Sequence, residues 1–303
     1  MASHPLMPGK RFVIGVPYVW LFVFFLLPFL ILLYISFVDM GESINPFKPI
    51  WDSETGLLSL KYENYWTIFR DEGGALFKTI YIEAYLRSIW YALWTALLCL
   101  LFGYPFAYFI ARSPASVRPA LLMMVMLPFW TSFLLRVYAW KGILADQGVL
   151  NQLLMAVGIT QEPILMLYTN VSMLVGMTYV YLPFMILPLY ATLVKMDFRL
   201  LEAAYDLGTT PFKAFWLITV PLSKAGIVAG FMLVFIPSVG EFVIPSLLGG
   251  PENIMIGRVV WDEMFTSNNW PRATALAVVM IALIVVPLAI YYHYTGEAAE
   301  PRK

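Results

Sequence analysis

The thirty residues from Met196 to Ala225, MDFRLLEAAYDLGTTPFKAFWLITVPLSKA, lie between two long apolar runs and decide how the rest of the chain is read. Apolar residues at Leu200, Leu201, Ala204 and Leu207 fall at helical spacing, and Gly208 supplies a stop. A second short helix starts around Pro211, because proline is well tolerated at a first helical position, and Phe212, Phe215, Trp216 and Val220 continue an apolar face. Two short amphipathic helices broken at a glycine make a compact elbow. Such an elbow fits a groove on a partner, as helix anchors enter an apolar cleft. An amphipathic hairpin lying on lipid is the alternative that the pattern leaves open.

On both sides of the elbow the chain is too apolar for water. Of its 303 residues, 61% are hydrophobic and 13% charged, and mean hydropathy is +0.77, which calls for lipid as the solvent. Crossing about 30 Å of hydrocarbon takes roughly 20 helical residues. Six stretches qualify: Phe12 to Val38, Ser88 to Ala111, Pro119 to Tyr138, Val171 to Val194, Gly226 to Leu248, and Ala273 to Tyr294. The fold class expected is therefore an all-α integral membrane protein, one transmembrane domain over 1–303, with a long external loop at 39–87 and the elbow at 195–225. Lys10 and Arg11 precede a long apolar run with no convincing small-residue cleavage site, so the first stretch is expected to be a retained helix.

Charge placement sets the orientation, because Lys and Arg resist translocation. With the N-terminus inside, the inner segments hold ten basic residues, among them Lys10, Arg11, Arg112, Arg118, Lys195, Arg199, Lys213 and Lys224, against five acids. The outer segments hold thirteen acids, including Asp39, Glu42, Asp52, Glu54, Asp71 and Glu72, against eight bases. Both termini are thus expected on the cytoplasmic side. The formal net charge is zero, which gives no footing for nucleic acid. Cys99, the only cysteine, excludes an internal disulfide and a cysteine-based metal cluster. His4 and His293 have no plausible metal or catalytic companion.

The outer segment of 49 residues from Asp39 to Arg87 carries turn formers such as Asn45-Pro46 and Gly73-Gly74, and a loop this long usually has a task. Prolines recur inside the spans, at Pro28, Pro105, Pro128, Pro183, Pro188, Pro237, Pro245 and Pro287. Each frees a carbonyl that a neighbouring helix or a water-filled cavity must satisfy. A kinked bundle with an aqueous route follows from them more easily than a rigid scaffold.

The elbow also carries a motif. Glu202, Ala203 and Ala204, three residues, Gly208, nine residues, Ile218, and then Pro221 resemble the signature loop of the type I ABC importer permeases, with Val220 in place of the usual Leu. The similarity extends along most of the chain, from VPYVWLFVFFLLPF at 16–29 through LPFWTSFLLRVYAWKGIL at 127–144 to FIPSVGEFVIPSLLGGPENIMIGRVVW at 235–261, and these segments look like putrescine and spermidine permease subunits. The resemblance implies a bacterial inner-membrane subunit of six transmembrane helices with Glu202, Ala203, Ala204, Asp206, Gly208 and Pro221 coupling to ATPase subunits. It implies a second, related permease beside it, a dimer of cytoplasmic ATPases and a periplasmic polyamine-binding protein. ATP and its magnesium ion would be bound by the ATPase, and no cofactor by this chain, which has no GxxxxGK[ST] phosphate loop.

Two strongly ionised side chains fall inside the predicted spans, Arg136 and Glu241. Intramembrane charges cost about 2.5 to 3.5 kcal/mol each on insertion scales, so they face protein or water. Glu241 can line the passage and compensate a diammonium ion as it sheds water, or it can form a salt bridge to Arg136 that fixes two helices; both readings stand. Trp130 and Tyr138, eight apart on the predicted third helix, and Tyr179 and Tyr181 on the fourth can offer ring faces to the same cation or serve as packing. Two rival functions are a secondary transporter driven by an ion gradient through Glu241, which usually shows inverted repeats, and an intramembrane enzyme, for which the catalytic set is missing.

Overall fold

The computed structural model describes residues 8–41, 45–51, 60–70, 76 and 79–297. His4, the acids Glu42, Asp52, Glu54, Asp71 and Glu72, the Gly73-Gly74 pair and the charged residues after 297 lie outside the described residues.

Helices follow one another along the whole described chain: α1 (Pro8–Leu21), α2 (Leu27–Ser36), α3 (Glu63–Phe69), α4 (Ile80–Arg112), α5 (Arg118–Met126), α6 (Phe133–Leu144), α7 (Val149–Ala156), α8 (Asn170–Leu193), α9 (Arg199–Asp206), α10 (Pro211–Ala214), α11 (Val220–Leu222), α12 (Lys224–Val239), α13 (Val243–Leu248), α14 (Ile256–Trp261) and α15 (Trp270–Glu297). A wide π turn at Phe22–Leu26 joins α1 to α2, just before Pro28, whose ring cannot sit over an ordinary helical turn. Among the described residues, three stretches are long and apolar enough to cross a membrane without interruption, Phe12–Ser36, Ile80–Arg112 and Asn170–Leu193. A further apolar stretch, Trp270–Val286, belongs to α15.

The predicted third and fifth spans are broken helices. The spacing predicts one helix over 119–138, but the chain leaves helical geometry at Thr131 and Ser132, and the segments on either side are bent by 87°. Pro128 ends the regular hydrogen bonding of α5, which tightens to a 3-10 turn over Leu127–Trp130. Over 226–248 the helix stops at Gly240 and restarts at Val243.

The chain forms two compact units, 1–82 with 259–303, and 83–258. In the first, α15 packs along α2 and α3. Asn64 on α3 donates to the carbonyls of Ser36 (3.0 Å) and Val38 (2.9 Å), which caps the C-terminal end of α2. Ser36 Oγ lies 2.6 Å from Tyr65 Oη, and Lys61 pairs with Asp39 at 3.1 Å. Side chains on α1 and the adjoining π turn, from Phe12 to Phe25, are almost all exposed, as expected of a surface that faces lipid.

In the second unit the core lies between α4, α8 and α12. Its buried residues include Cys99, Met173, Met177, Met185, Leu189 and Leu193. The tightest approach is α12 against α8, where Gly226 and Gly230 stand four apart on one face. A Cβ on Gly226 would lie 2.6 Å from Thr192 Oγ1 and 2.9 Å from the Pro188 carbonyl, and one on Gly230 would lie 2.7 Å from Met185 Sδ. Small residues at this spacing let two membrane helices approach backbone to backbone, which supplies dispersion contacts where no hydrophobic drive exists. α8 is opened by a capping box, with Thr169 and Ser172 each accepting from the other's backbone N–H. Ser172 Oγ then donates to the Leu248 carbonyl at 2.7 Å, which ties the end of α13 to the start of α8.

Candidate functional site

Two places combine an interruption of helix with polar chemistry: the elbow, and the turn at Glu241. The elbow is α9, a glycine turn and α10 with its continuation to Leu222. Glycine at 208 is dictated by geometry. Its φ is +79°, in the left-handed region that a side chain disfavours, and no atom lies near enough to obstruct a Cβ. The turn is a Schellman motif: Thr209 N–H donates to the Ala204 carbonyl and Gly208 N–H to the Tyr205 carbonyl, both at 2.9 Å. Two residues later Thr210 caps the second helix, accepting from Lys213 N–H, with Pro211 at the first position.

A small core holds the elbow closed, with Leu201, Ala204 and Ala214 buried against Met196, Phe198 and Ile218. Ala204 and Ile218 of the motif thus serve packing. The opposite face is open: Glu202, Ala203, Asp206 and Pro221 are exposed, together with Leu207 at 87% and Phe212 at 74% exposure. Carboxylates flanked by bare apolar side chains make a surface suited to burial against another protein.

The elbow is anchored to the C-terminal third of α4. Phe215 meets Tyr104 edge to face at 5.3 Å and Tyr108 at 6.3 Å, while Phe198 meets Tyr108 at 6.4 Å. The Arg112 guanidinium lies 5.6 Å from the Phe198 ring and 5.7 Å from that of Tyr108. Tyr104 Oη and Ser223 Oγ share a buried hydrogen bond of 2.8 Å. Tyr104, Tyr108, Arg112, Phe198, Phe215 and Ser223 were not legible as a group, because 119 positions separate Tyr104 from Ser223. The Gly226-x-x-x-Gly230 pair did carry a signal, a small-residue repeat in an apolar helix, which sequence reasoning did not use.

At the second place, Glu241 occupies the turn between α12 and α13. One carboxylate oxygen accepts from the backbone N–H of Val243 (3.0 Å) and Ile244 (3.4 Å), satisfying donors at the start of α13. The other accepts from Tyr181 Oη at 2.6 Å. The salt bridge to Arg136 considered from sequence does not form. Arg136 instead places its guanidinium 5.1 Å from the Phe129 ring, and its Nε and Nη1 are buried with no hydrogen-bond partner. The bend after Trp130 explains why, since Arg136 belongs to a segment that turns away from the predicted helix axis.

The aromatic candidates separate. Trp130 is 73% exposed at the break, and Tyr138 is exposed on α6. Because the chain bends between them, they do not share the face of one straight helix, contrary to the eight-residue spacing. Tyr179 is partly buried and packs edge to face on Trp140 at 5.4 Å. Tyr181 is buried and engaged by Glu241. The structure therefore joins Tyr181 to Glu241, and it leaves Trp130, Tyr138 and Tyr179 apart from that pair.

The family described as the binding-protein-dependent transport system inner membrane component matches residues 103–300. That span includes the whole elbow and exceeds half of the chain. The chain belongs to this family. As a permease of the type I ABC importer fold it is a transport subunit and not itself an enzyme. It is 36% identical over 283 residues to the spermidine/putrescine transport system permease protein PotB of Haemophilus influenzae, covering 93% of each chain. It is 39% identical over 217 residues to PotB of Escherichia coli K12, covering 72% of this permease and 79% of that protein. The inner membrane ABC transporter permease protein YdcU of the same organism is 32% identical over 229 residues, 71% and 72% of the two chains. Among solved structures, a chain of a bacterial ABC transporter that imports the acidic polysaccharide alginate superposes with a TM-score of 0.63 at 17% identity, over 96% of this permease and 98% of that chain. At that identity the likeness is one of fold.

Proposed function

We propose that this permease is one of two related membrane subunits of an ATP-driven importer that moves polyamines, putrescine and spermidine, from the periplasm to the cytoplasm. The similarity over 93% of both lengths to a permease named for spermidine and putrescine carries the proposal. Six spans with both termini cytoplasmic put the acidic outer segments where a polyamine-binding protein delivers its cargo, and the elbow where ATPase subunits work.

The chemistry of each part follows. Glu202, Asp206, Leu207 and Phe212 form the face that enters a cleft on the ATPase, which holds the ATP and magnesium. Ala203 and Pro221 border that face, Ala204 packs beneath it, and Gly208 sets its angle. When the ATPase moves, the elbow moves as one body, because its own core and the Schellman turn resist bending. The edge-to-face rings of Phe198, Phe215, Tyr104 and Tyr108 pass that motion to α4. Access then switches from one side to the other. In the passage, Glu241 supplies negative charge for an ammonium group, and the rings of Trp130, Tyr138 and Tyr179, which lie apart from it, supply faces at other points along the route. Tyr181 holds the carboxylate in place. A gradient-driven secondary transporter built on Glu241 is not favoured, because it would require no elbow.

Uptake of radiolabelled putrescine in cells that depend on this importer, competed by spermidine, ornithine and arginine, tests the substrate. Competition by spermidine with none by ornithine or arginine is expected. Competition by the amino acids alone would remove the polyamine assignment.

A further inference from the structure

In the first unit a cleft of about 380 Å³ opens between α3, the start of α4 and the start of α15. Trp66, Thr67, Arg70, Thr79, Tyr81 and Arg272 line it. Its hydroxyls are already committed. Thr67 donates to the Asn64 carbonyl, Thr79 to the Ile68 carbonyl, and Tyr81 to Glu263 at 2.6 Å. The two guanidiniums are less fully engaged: Arg272 reaches the hydroxyl of Tyr81. Among the described residues neither Arg70 nor Arg272 forms an ion pair, and Arg272 Nε is buried with no hydrogen-bond partner. A buried guanidinium N–H without an acceptor is costly, and a planar fork of donors matches an oxyanion. Among the described residues, with Glu263 behind Tyr81, the charged side chains at the cleft amount to about one positive unit, the complement of a single negative charge.

We infer that this cleft binds a phosphodiester, and that its source is the headgroup of a phospholipid in the outer leaflet. Three observations support the lipid source. On the reading that α4 and α15 each cross the membrane, the cleft lies at the level of the headgroups, where Ile80 begins the exposed apolar surface of α4 and Trp270 opens α15. Trp66, in the cleft, and Tyr62, on the same turn of chain, are exposed aromatic residues of the kind that settle at a membrane interface. A phosphodiester also carries the one negative charge required, whereas free phosphate carries more at neutral pH. The volume is within the range of small-ligand sites. The inference rests on membrane embedding and is independent of the polyamine assignment.

The intact importer complex, purified in mild detergent, tests it by native mass spectrometry. Wild type should retain a phospholipid through washing and rebind added phosphatidylglycerol or phosphatidylethanolamine. Arg272→Gln should weaken rebinding roughly tenfold, since it removes a charge-assisted contact. Arg70→Gln, on an exposed side chain that the fold does not need, should weaken it several-fold and decides the matter alone if Arg272→Gln fails to assemble. Arg272→Lys should fall between, keeping the charge and losing the fork. Equal lipid retention in wild type and both glutamine variants would overturn the proposal. Displacement of the lipid by millimolar inorganic phosphate would do so too, by assigning the cleft to a free anion. A loss of binding-protein docking with unchanged lipid would also overturn it, by making the guanidiniums a protein contact.

Discussion

Between Arg199 and Leu222 the chain folds back on itself using residues that are neighbours in sequence, and it keeps its charged and largest apolar side chains outside. Around Glu241 the chain also interrupts a helix, but the residue that stabilises the interruption, Tyr181, comes from 60 positions away, and the charge is turned inward. The first arrangement is a local device with an open face, available to a partner while its own core stays closed. The second is a tertiary device whose polar groups are consumed within the chain. A carboxylate on an exposed elbow and one inside the bundle should therefore respond differently to substitution: the first in activity alone, the second in stability as well.

The largest effect should come from reversing charge on the open face. Glu202→Lys should reduce ATP-dependent uptake more than about tenfold, while the melting midpoint of the purified permease moves little, because exposed substitutions usually stay within about 0.5 kcal/mol. Equal losses of uptake and stability would erase the contrast between the two regions.

Gly226→Val extends the comparison to the bundle. The Pro188 carbonyl opposite Gly226 is backbone and cannot step aside. Overpacking of this kind costs about 1 to 3 kcal/mol, which should show as lower yield of assembled complex and a lower unfolding midpoint in detergent. A wild-type midpoint would mean that α8 and α12 do not meet as described.

Glu241→Ala should destabilise by roughly 1 to 3 kcal/mol, because it strands the buried Tyr181 hydroxyl and the N–H groups opening α13. Glu241→Gln keeps an acceptor and should cost less. In a double-mutant cycle with Tyr181→Phe, a coupling of about 1 kcal/mol is expected for groups that share a hydrogen bond. A coupling near zero would dissolve the pair. If Glu241→Gln assembles normally yet abolishes uptake, Glu241 also acts in the passage.

The smallest effect belongs to the elbow's own backbone. Gly208→Ala meets no steric obstacle, so its cost is that of a left-handed φ alone, about 1 kcal/mol. It should lower the polyamine-stimulated ATPase rate of the complex modestly. A full loss would point to a side-chain clash with the docked partner.

The difference between the regions also explains what the sequence made legible. The elbow could be read at residue level because its signals act over three or four positions: apolar spacing for α9, a glycine for the stop, and a proline for the restart. The structure ends α9 at Asp206 and begins α10 at Pro211 accordingly. The apolar runs announced helices for the same reason. The breaks at Thr131–Ser132 and Gly240–Phe242 were hidden within those runs, since a proline in a membrane helix is compatible with a continuous helix and with a broken one. Pro183 and Pro188 sit inside an unbroken α8, whereas Pro128 precedes an 87° bend. Neighbouring packing decides between those outcomes. The engagement of Glu241 with Tyr181 rather than Arg136 was hidden too, because depth in a bilayer restricts partners without choosing among them.

Reconstituting the complete importer in proteoliposomes, with ATP inside and no ion gradient, tests the central claim that an elbow on this chain couples polyamine passage to a separate ATPase. Wild type should take up putrescine only when ATP is present, and Glu202→Lys should abolish uptake while leaving the basal ATPase rate of the isolated ATPase subunit unchanged. Uptake that continues without ATP, or at the wild-type rate in Glu202→Lys, would contradict the claim.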